Sequence, residues 1–270
     1  MKQRVISAVV LIILVVSLFI ISPYTRLIVF AAASVISIRE LSNLFRKLEI
    51  QCAEWVLHVF AIGIVIMAGL SVTMNFSPAY YLAWMFLGMF FSMFEGIRSA
   101  KVRGKGAMAN CGILMYPLFP YAAVTIISVS HGWQAVFVIA CLATWLCDSF
   151  ALFGGKWWGK HKVAPYTSPN KTIEGCLTGA ASSILAGILA FFILKAFNFY
   201  VPIGISILVA FVASTFGQIG DLAASLLKRT AGIKDYSNLI PGHGGMMDRA
   251  DSLLFSVPVT WFLLYITNVI

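Results

Sequence analysis

Charge is scarce in this sequence: ten acidic and nineteen basic residues stand in a chain of 270, and 60% of positions are apolar. A water-soluble domain needs more polar surface than that, so soluble globules, disordered chains and nucleic-acid-binding domains are excluded as classes. Cysteine is sparse and unpaired. Cys52, Cys111, Cys141, Cys147 and Cys176 include no CxxC, and four of them lie in or beside apolar runs, as small buried hydrophobes do. The four histidines form no HExxH and follow no nucleophile elbow, which argues against zinc peptidases and serine hydrolases. No GxxxxGK[ST] is present, and no internal repeat is visible.

What the sequence has instead is long apolar runs. A spanning helix takes roughly 20 residues, and nine stretches qualify, near 5–22, 27–45, 55–73, 78–97, 107–128, 133–153, 174–196, 200–227 and 246–269. The first follows Lys2 and Arg4 like a signal peptide, but Ile20-Ile21-Ser22-Pro23 offers no small-x-small cleavage site, so it reads as an uncleaved span. The second has a short apolar part, Leu27 to Ile38, and a re-entrant segment stays open there.

Numbering the sides alternately puts 17 of 19 basic residues on the side of the N-terminus, with only Arg26 and Lys195 opposite. The positive-inside rule then predicts a cytoplasmic N-terminus and an outward C-terminus. The expected fold class is an all-α polytopic membrane protein of about nine transmembrane helices. Residues 1–130 supply about five spans, and residues 131–270 carry two cytoplasmic motif loops, 154–175 and 228–245.

The eighth span presents Ser214, Gln218, Asp221, Ser225 and Lys228 at spacings of four, three, four and three, which is one face of a helix. At 1.5 Å per residue Asp221 lies about 30 Å along that span and Asp148 about 22 Å along the inward-running sixth. Asp248 opens the ninth. Three carboxylates from three helices are thus expected at one depth, just under the inner headgroups, and such acids call for a cation, for which oxygen ligands suit magnesium. Simple pairing with a neighbouring Lys or Arg is the competing explanation, and for Lys234 and Asp235 a solvated surface pair is as good a reading as a functional one. Gly154-Gly155-Lys156-Trp157-Trp158-Gly159-Lys160 and Ser168-Pro169-Asn170-Lys171-Thr172 offer the glycines and cations that phosphate binding uses. Trp157 and Trp158 fit an interfacial anchor better than a base-stacking platform. His243 differs from the other histidines in its setting, Pro241-Gly242-His243-Gly244-Gly245.

At these residues the sequence resembles a known family. Ser225-Leu226-Leu227-Lys228-Arg229, then Lys234-Asp235, then Leu239 to Asp251 is similar to the C-terminal motif of the phosphatidate cytidylyltransferases, the CDP-diacylglycerol synthases. Asp148-Ser149-Phe150-Ala151 with Gly154-Gly155, and Ser168 to Thr172 with Glu174-Gly175, are similar to the family's other blocks. The likeness covers roughly residues 144 to 252. Ala250 departs from it, standing where the family usually carries a larger apolar residue.

The resemblance implies a membrane nucleotidyltransferase of phospholipid biosynthesis. CMP would pass from CTP to phosphatidic acid of the inner leaflet, giving CDP-diacylglycerol and pyrophosphate, in the cytoplasmic (inner) membrane and with Mg2+. A second cation such as K+ and a homodimer stay open. It makes Asp221 and Asp248 the leading metal ligands, with Asp148 and Asp251 as further ones. Lys171, Lys228, Arg229 and Lys234 would neutralise phosphates, with Asp235 and His243 beside them in the catalytic group. Ser168, Asn170, Thr172, Ser225, Gly242, Gly244, Gly245 and Arg249 would line the substrates. Two rivals remain: a cation-coupled transporter with Asp148 and Asp221 as an ion relay, and a CTP- or ATP-dependent lipid kinase.

Overall fold

The computed structural model describes residues 22–74, 77–239 and 244–270. The expected first span, with Lys2 and Arg4, lies outside the described residues apart from Ser22. So do Pro241, Gly242 and His243. The chain divides into two compact units, residues 1–130 with 235–248, and residues 131–234 with 249–270.

In the first unit, α1 covers Pro23–Lys47. Ser22 caps it, its hydroxyl accepting from the Thr25 amide at 3.4 Å, and Pro23 fits the first turn because its missing N–H has no helical partner there. Arg46 and Lys47 sit in the last turn, where cations oppose the helix dipole. Twenty-five continuous helical residues reach about 37 Å, long enough to cross a bilayer core of about 30 Å. Next come α2 (Glu54–Ser71), α3 (Pro78–Arg98) and α4 (Arg103–Ile113). A π-helical turn at Leu114–Leu118 follows, where Pro117 interrupts the helical ladder, and then α5 (Phe119–Val129).

Ile38, Leu41, Val56, Leu57, Ile113 and Leu114 form the interior of this unit. Several of its buried polar groups have partners within the unit. The Ser37 and Tyr121 hydroxyls are 2.9 Å apart, and the Ala53 amide donates to Asn110 Oδ1 at 3.1 Å. Arg26, one of the two basic residues outside the majority group, is 5% exposed and donates from Nε to the Ser128 carbonyl at the end of α5. Its position is explained by a helix C-terminus that needs donors.

The second unit contains α6 (Trp133–Trp158), β1 (Lys162–Ala164), β2 (Ser168–Thr172), α7 (Ile173–Ala196), α8 (Ile203–Thr230) and most of α9 (Met247–Ile266). The buried face of α7 is built from small residues, among them Gly179, Ser183, Ala186, Gly187 and Ala190, which let neighbouring backbones come close, as in membrane bundles. The Ser206 hydroxyl of α8 donates to the Gly187 carbonyl at 2.8 Å.

The segment expected to be a long glycine loop, 154–175, is narrower than that. Helix α6 runs through Gly154 and Gly155 to Trp158, because a Cβ on Gly154 would collide with Thr178 of α7, and a bare backbone lets the two helices touch. Beyond it β1 and β2 pair antiparallel, Lys162 opposite Thr172 and Ala164 opposite Ser168. The second motif loop likewise begins later than 228, since α8 continues to Thr230.

Among the described residues, seven helical stretches are long and apolar enough to cross a membrane: those of α1, α2, α3, α4 with α5, α6, α7 and α8. Phe86, Phe90, Phe94, Leu152, Leu177 and Leu208 point outward, large apolar side chains that suit lipid and would be costly in water. The protein is an all-α, multi-pass membrane protein. The stretch expected as the ninth span is a helix, α9, but Asp248, Arg249 and Asp251 crowd its first turns, and it is not among the seven.

Candidate active site

Helix α8 supplies the polar stripe that its spacing predicts, and the stripe faces protein. The Gln218 amide donates to the Cys176 carbonyl at 3.2 Å and to Cys147 Sγ at 3.1 Å, while Ser214, Ser225 and Lys228 are buried. Ser214 turns its hydroxyl back onto the Phe211 carbonyl of its own helix. One turn beyond Gln218, Asp221 Oδ2 forms an ion pair with Lys171 Nζ, carried in from β2.

Asp221 is also the electrostatic neighbour of two further carboxylates, Asp148 of α6 and Asp251 of α9. Lys171 and Arg249 act on Asp148, and Lys228 acts on Asp251, so each acid of the group has a cation within its field. Asp251 is 7% exposed and accepts from the Ser252 amide at 2.7 Å. Three carboxylates on three helices are thus gathered within this unit. Among the described residues, no group of three or more His, Cys, Asp or Glu side chains is placed to hold a metal ion as it stands. The donor chemistry of Asp148, Asp221 and Asp251 nevertheless fits a hard divalent cation, which takes carboxylate oxygens and would compete with Lys171 for Asp221.

The hairpin that delivers Lys171 is anchored at both ends. The Glu174 carboxylate accepts from the Lys160 amide at 3.1 Å, the His161 amide at 3.2 Å and His161 Nδ1 at 2.6 Å, fastening the turn after α6 to the first turn of α7. Thr172, expected as a substrate contact, is buried and caps α7, its hydroxyl accepting from the Gly175 amide at 3.2 Å. Ser168 is half-buried and Asn170 exposed on β2. Arg229, expected on a phosphate, spends two donors on backbone: Nε to the Thr167 carbonyl at 3.2 Å and one terminal nitrogen to the Ile233 carbonyl at 2.9 Å. It straps the hairpin to the segment after α8. Lys234 is exposed at the end of that segment, and Arg249 is exposed near the start of α9.

The first unit holds the other motif, residues 235–248. Asp248 Oδ2 accepts from the Tyr236 and Gly245 amides, each at 2.9 Å, so this expected metal ligand also ties the two ends of the motif together. Gly244 has φ +82°, a conformation that favours glycine, and a Cβ there would lie 2.8 Å from Asp248 Oδ2. Asp235 is exposed at the start of the motif.

Sequence reasoning missed Glu40. This α1 residue is 4% exposed, and its carboxylate accepts from the Ser237 hydroxyl at 2.6 Å and from the Met246 and Met247 amides at 2.9 and 2.8 Å. The available signal was an acid just past the apolar part of this span, next to Arg39, where a charge near the hydrocarbon calls for partners.

The model of the family described as "Cytidylyltransferase family" matches residues 2–267. A phosphatidate cytidylyltransferase of Staphylococcus haemolyticus is 43% identical over 125 residues, 46% of this chain and 47% of that protein. That of Bacillus subtilis is 44% identical over 125 residues, covering 46% and 45%. That of Staphylococcus epidermidis is 43% identical over 128 residues, covering 47% and 48%. The matched segment spans about half the length of each of these relatives.

Proposed function

The chain belongs to the cytidylyltransferase family, and on that premise we propose that it transfers CMP from CTP to phosphatidic acid, forming CDP-diacylglycerol and pyrophosphate. The observation that carries the reading is the Lys171–Asp221 pair set among further carboxylates, a cation and an acid cluster brought together inside a membrane protein. The name shared by the three relatives supports the choice of lipid.

In the proposed reaction a phosphate oxygen of the lipid attacks the α-phosphorus of CTP. A new P–O bond forms as the bond from the α-phosphorus to the bridging oxygen breaks, and pyrophosphate leaves with that electron pair. The nucleophile is already an anion, so the protein's work is alignment and charge neutralisation more than proton removal. Lys171 and Lys228 would offset phosphate charge. Arg229 and Glu174 would hold the hairpin that aims Lys171. Asp221, Asp148 and Asp251, with Asp248, would hold Mg2+, which supplies Lewis-acid stabilisation of the charge that develops on the phosphates. Asp248 and Asp251 stand three apart in α9, a spacing that puts two side chains on one helix face.

The proposed setting is the cytoplasmic (inner) membrane, with the N-terminus inside and the motif segments on the cytoplasmic side, supported by the 17-to-2 division of basic residues. Purified protein incubated with labelled CTP, phosphatidic acid and magnesium should yield labelled lipid on extraction. Label that stays in the aqueous phase would overturn the reading, and phosphorylated lipid in its place would indicate a kinase.

A further inference from the structure

Helix α9 begins at Met247 without a residue able to cap it. The residue before it is Met246, whose thioether cannot take the place of a Ser, Thr, Asp or Asn oxygen, yet the first amides of any helix lack intrahelical acceptors. The acceptor comes from a helix about two hundred residues earlier. Glu40 Oε1 accepts from the Met246 amide and the Ser237 hydroxyl, and Oε2 accepts from the Met247 amide. Among the described residues the partners of this buried carboxylate are one hydroxyl and two amides, with no ion pair. A negative charge at the start of a helix is favourable in its own right. Gly245 belongs to the same arrangement, since a Cβ there would strike the Glu40 carboxylate. The next residue after the two clamped amides is Asp248, whose own carboxylate takes the Tyr236 and Gly245 amides.

We propose that Glu40 is a positioning residue, a cap supplied from α1 that fixes the start of α9 and through it the orientation of Asp248. This rests on the cytidylyltransferase reading for what Asp248 serves. Glu40 touches no reacting atom in this scheme. Its three acceptor bonds hold the Ser237 hydroxyl and the backbone at Met246 and Met247, and a shift of that backbone would move the Asp248 carboxylate with it.

The test uses Glu40→Gln, which preserves size but replaces one acceptor oxygen by an NH2 donor, and Glu54→Gln as a matched control that loses only the exposed ion pair to Arg46. Two readouts are taken on full-length protein in detergent. Hydrogen exchange of 15N-methionine-labelled protein, without substrates, reports the Met246 and Met247 amides directly. CMP transfer as a function of magnesium reports Asp248. In Glu40→Gln, exchange at Met247 should accelerate tenfold or more, with the magnesium requirement raised by a similar factor, while the control changes neither. Wild-type exchange at both methionines would overturn the clamp. Accelerated exchange with an unchanged magnesium requirement would leave Glu40 a merely stabilising residue and overturn its positioning role. If the wild-type protein transferred no CMP at all, the proposed reaction would fall while the exchange result still decided whether Glu40 holds the helix start.

Discussion

Lys171 and Asp221 join the end of a short hairpin to the polar face of α8 through one ion pair, with side chains 24% and 30% exposed. A pair so partly exposed contributes about 0–1 kcal/mol to folding. Its loss should therefore be separable from loss of structure. Lys171→Gln is expected to leave thermal unfolding in detergent within a few degrees of wild type. CMP transfer should fall roughly 30- to 1,000-fold, as the loss of about 2–4 kcal/mol of transition-state stabilisation requires. A full-rate Lys171→Gln variant would remove the hairpin from the active site.

Asp248 is expected to show two separable roles. Its Oδ2 accepts two backbone amides, and Asn keeps an oxygen that can do the same, whereas Ala leaves both donors unpaired at about 1–3 kcal/mol of desolvation cost. Asp248→Ala should thus melt lower than Asp248→Asn. If the charge also holds a cation, both should be nearly inactive, and so should Asp221→Asn. Melting curves beside activity at limiting magnesium make the separation. A stable, fully active Asp248→Asn would confine this residue to the loop.

The polar stripe of α8 was legible because five polar side chains at helical spacing inside an apolar run leave few other readings, and periodicity is the signal that survives best in a sequence. The hairpin was not legible. Its strands are three and five residues long, Pro169 sits inside one of them, and proline normally argues against a strand. Pro117 was visible but its consequence was not: residues 107–128 read as one span, and the structure breaks that helix with a π turn. Glu40 was illegible for a different reason. Capping rules look at the few residues around a helix start, and here the acceptor lies in α1, so only the fold brings it to Met246 and Met247.

Arg229 offers a test of geometry against charge. Its guanidinium reaches the Thr167 and Ile233 carbonyls in two directions, which a lysine ammonium on a single stem cannot reproduce. Arg229→Lys and Arg229→Gln are therefore expected to lose activity to a similar degree, through a loosened hairpin. Limited proteolysis should find new cleavage around Tyr166, which is already 95% exposed at the hairpin tip. Full activity in the lysine variant with loss in the glutamine variant would mean that Arg229 acts through its charge instead.

The side on which the C-terminus lies depends on whether α9 crosses the membrane. Its twenty residues reach about 30 Å, just the thickness of the hydrocarbon core, but three charges occupy the first five positions. If the charges sit at the inner headgroups and the remainder spans, reporters active only outside the cytoplasm should work when fused after Met74 and after Ile270. They should be silent after Lys105 and after Lys171. Thiol labelling gives an independent arm: Asn268→Cys should react with an impermeant maleimide added from outside. Cys52 will not compete, because burial, aided by the Glu54 charge, pushes its thiol up to about 11 and leaves almost no thiolate near neutral pH. A silent fusion after Ile270 together with an unlabelled Asn268→Cys would place α9 and its carboxylates wholly on the inner side. The membrane-crossing count would then end at α8, and the positive-inside assignment of the remaining loops would stand unchanged.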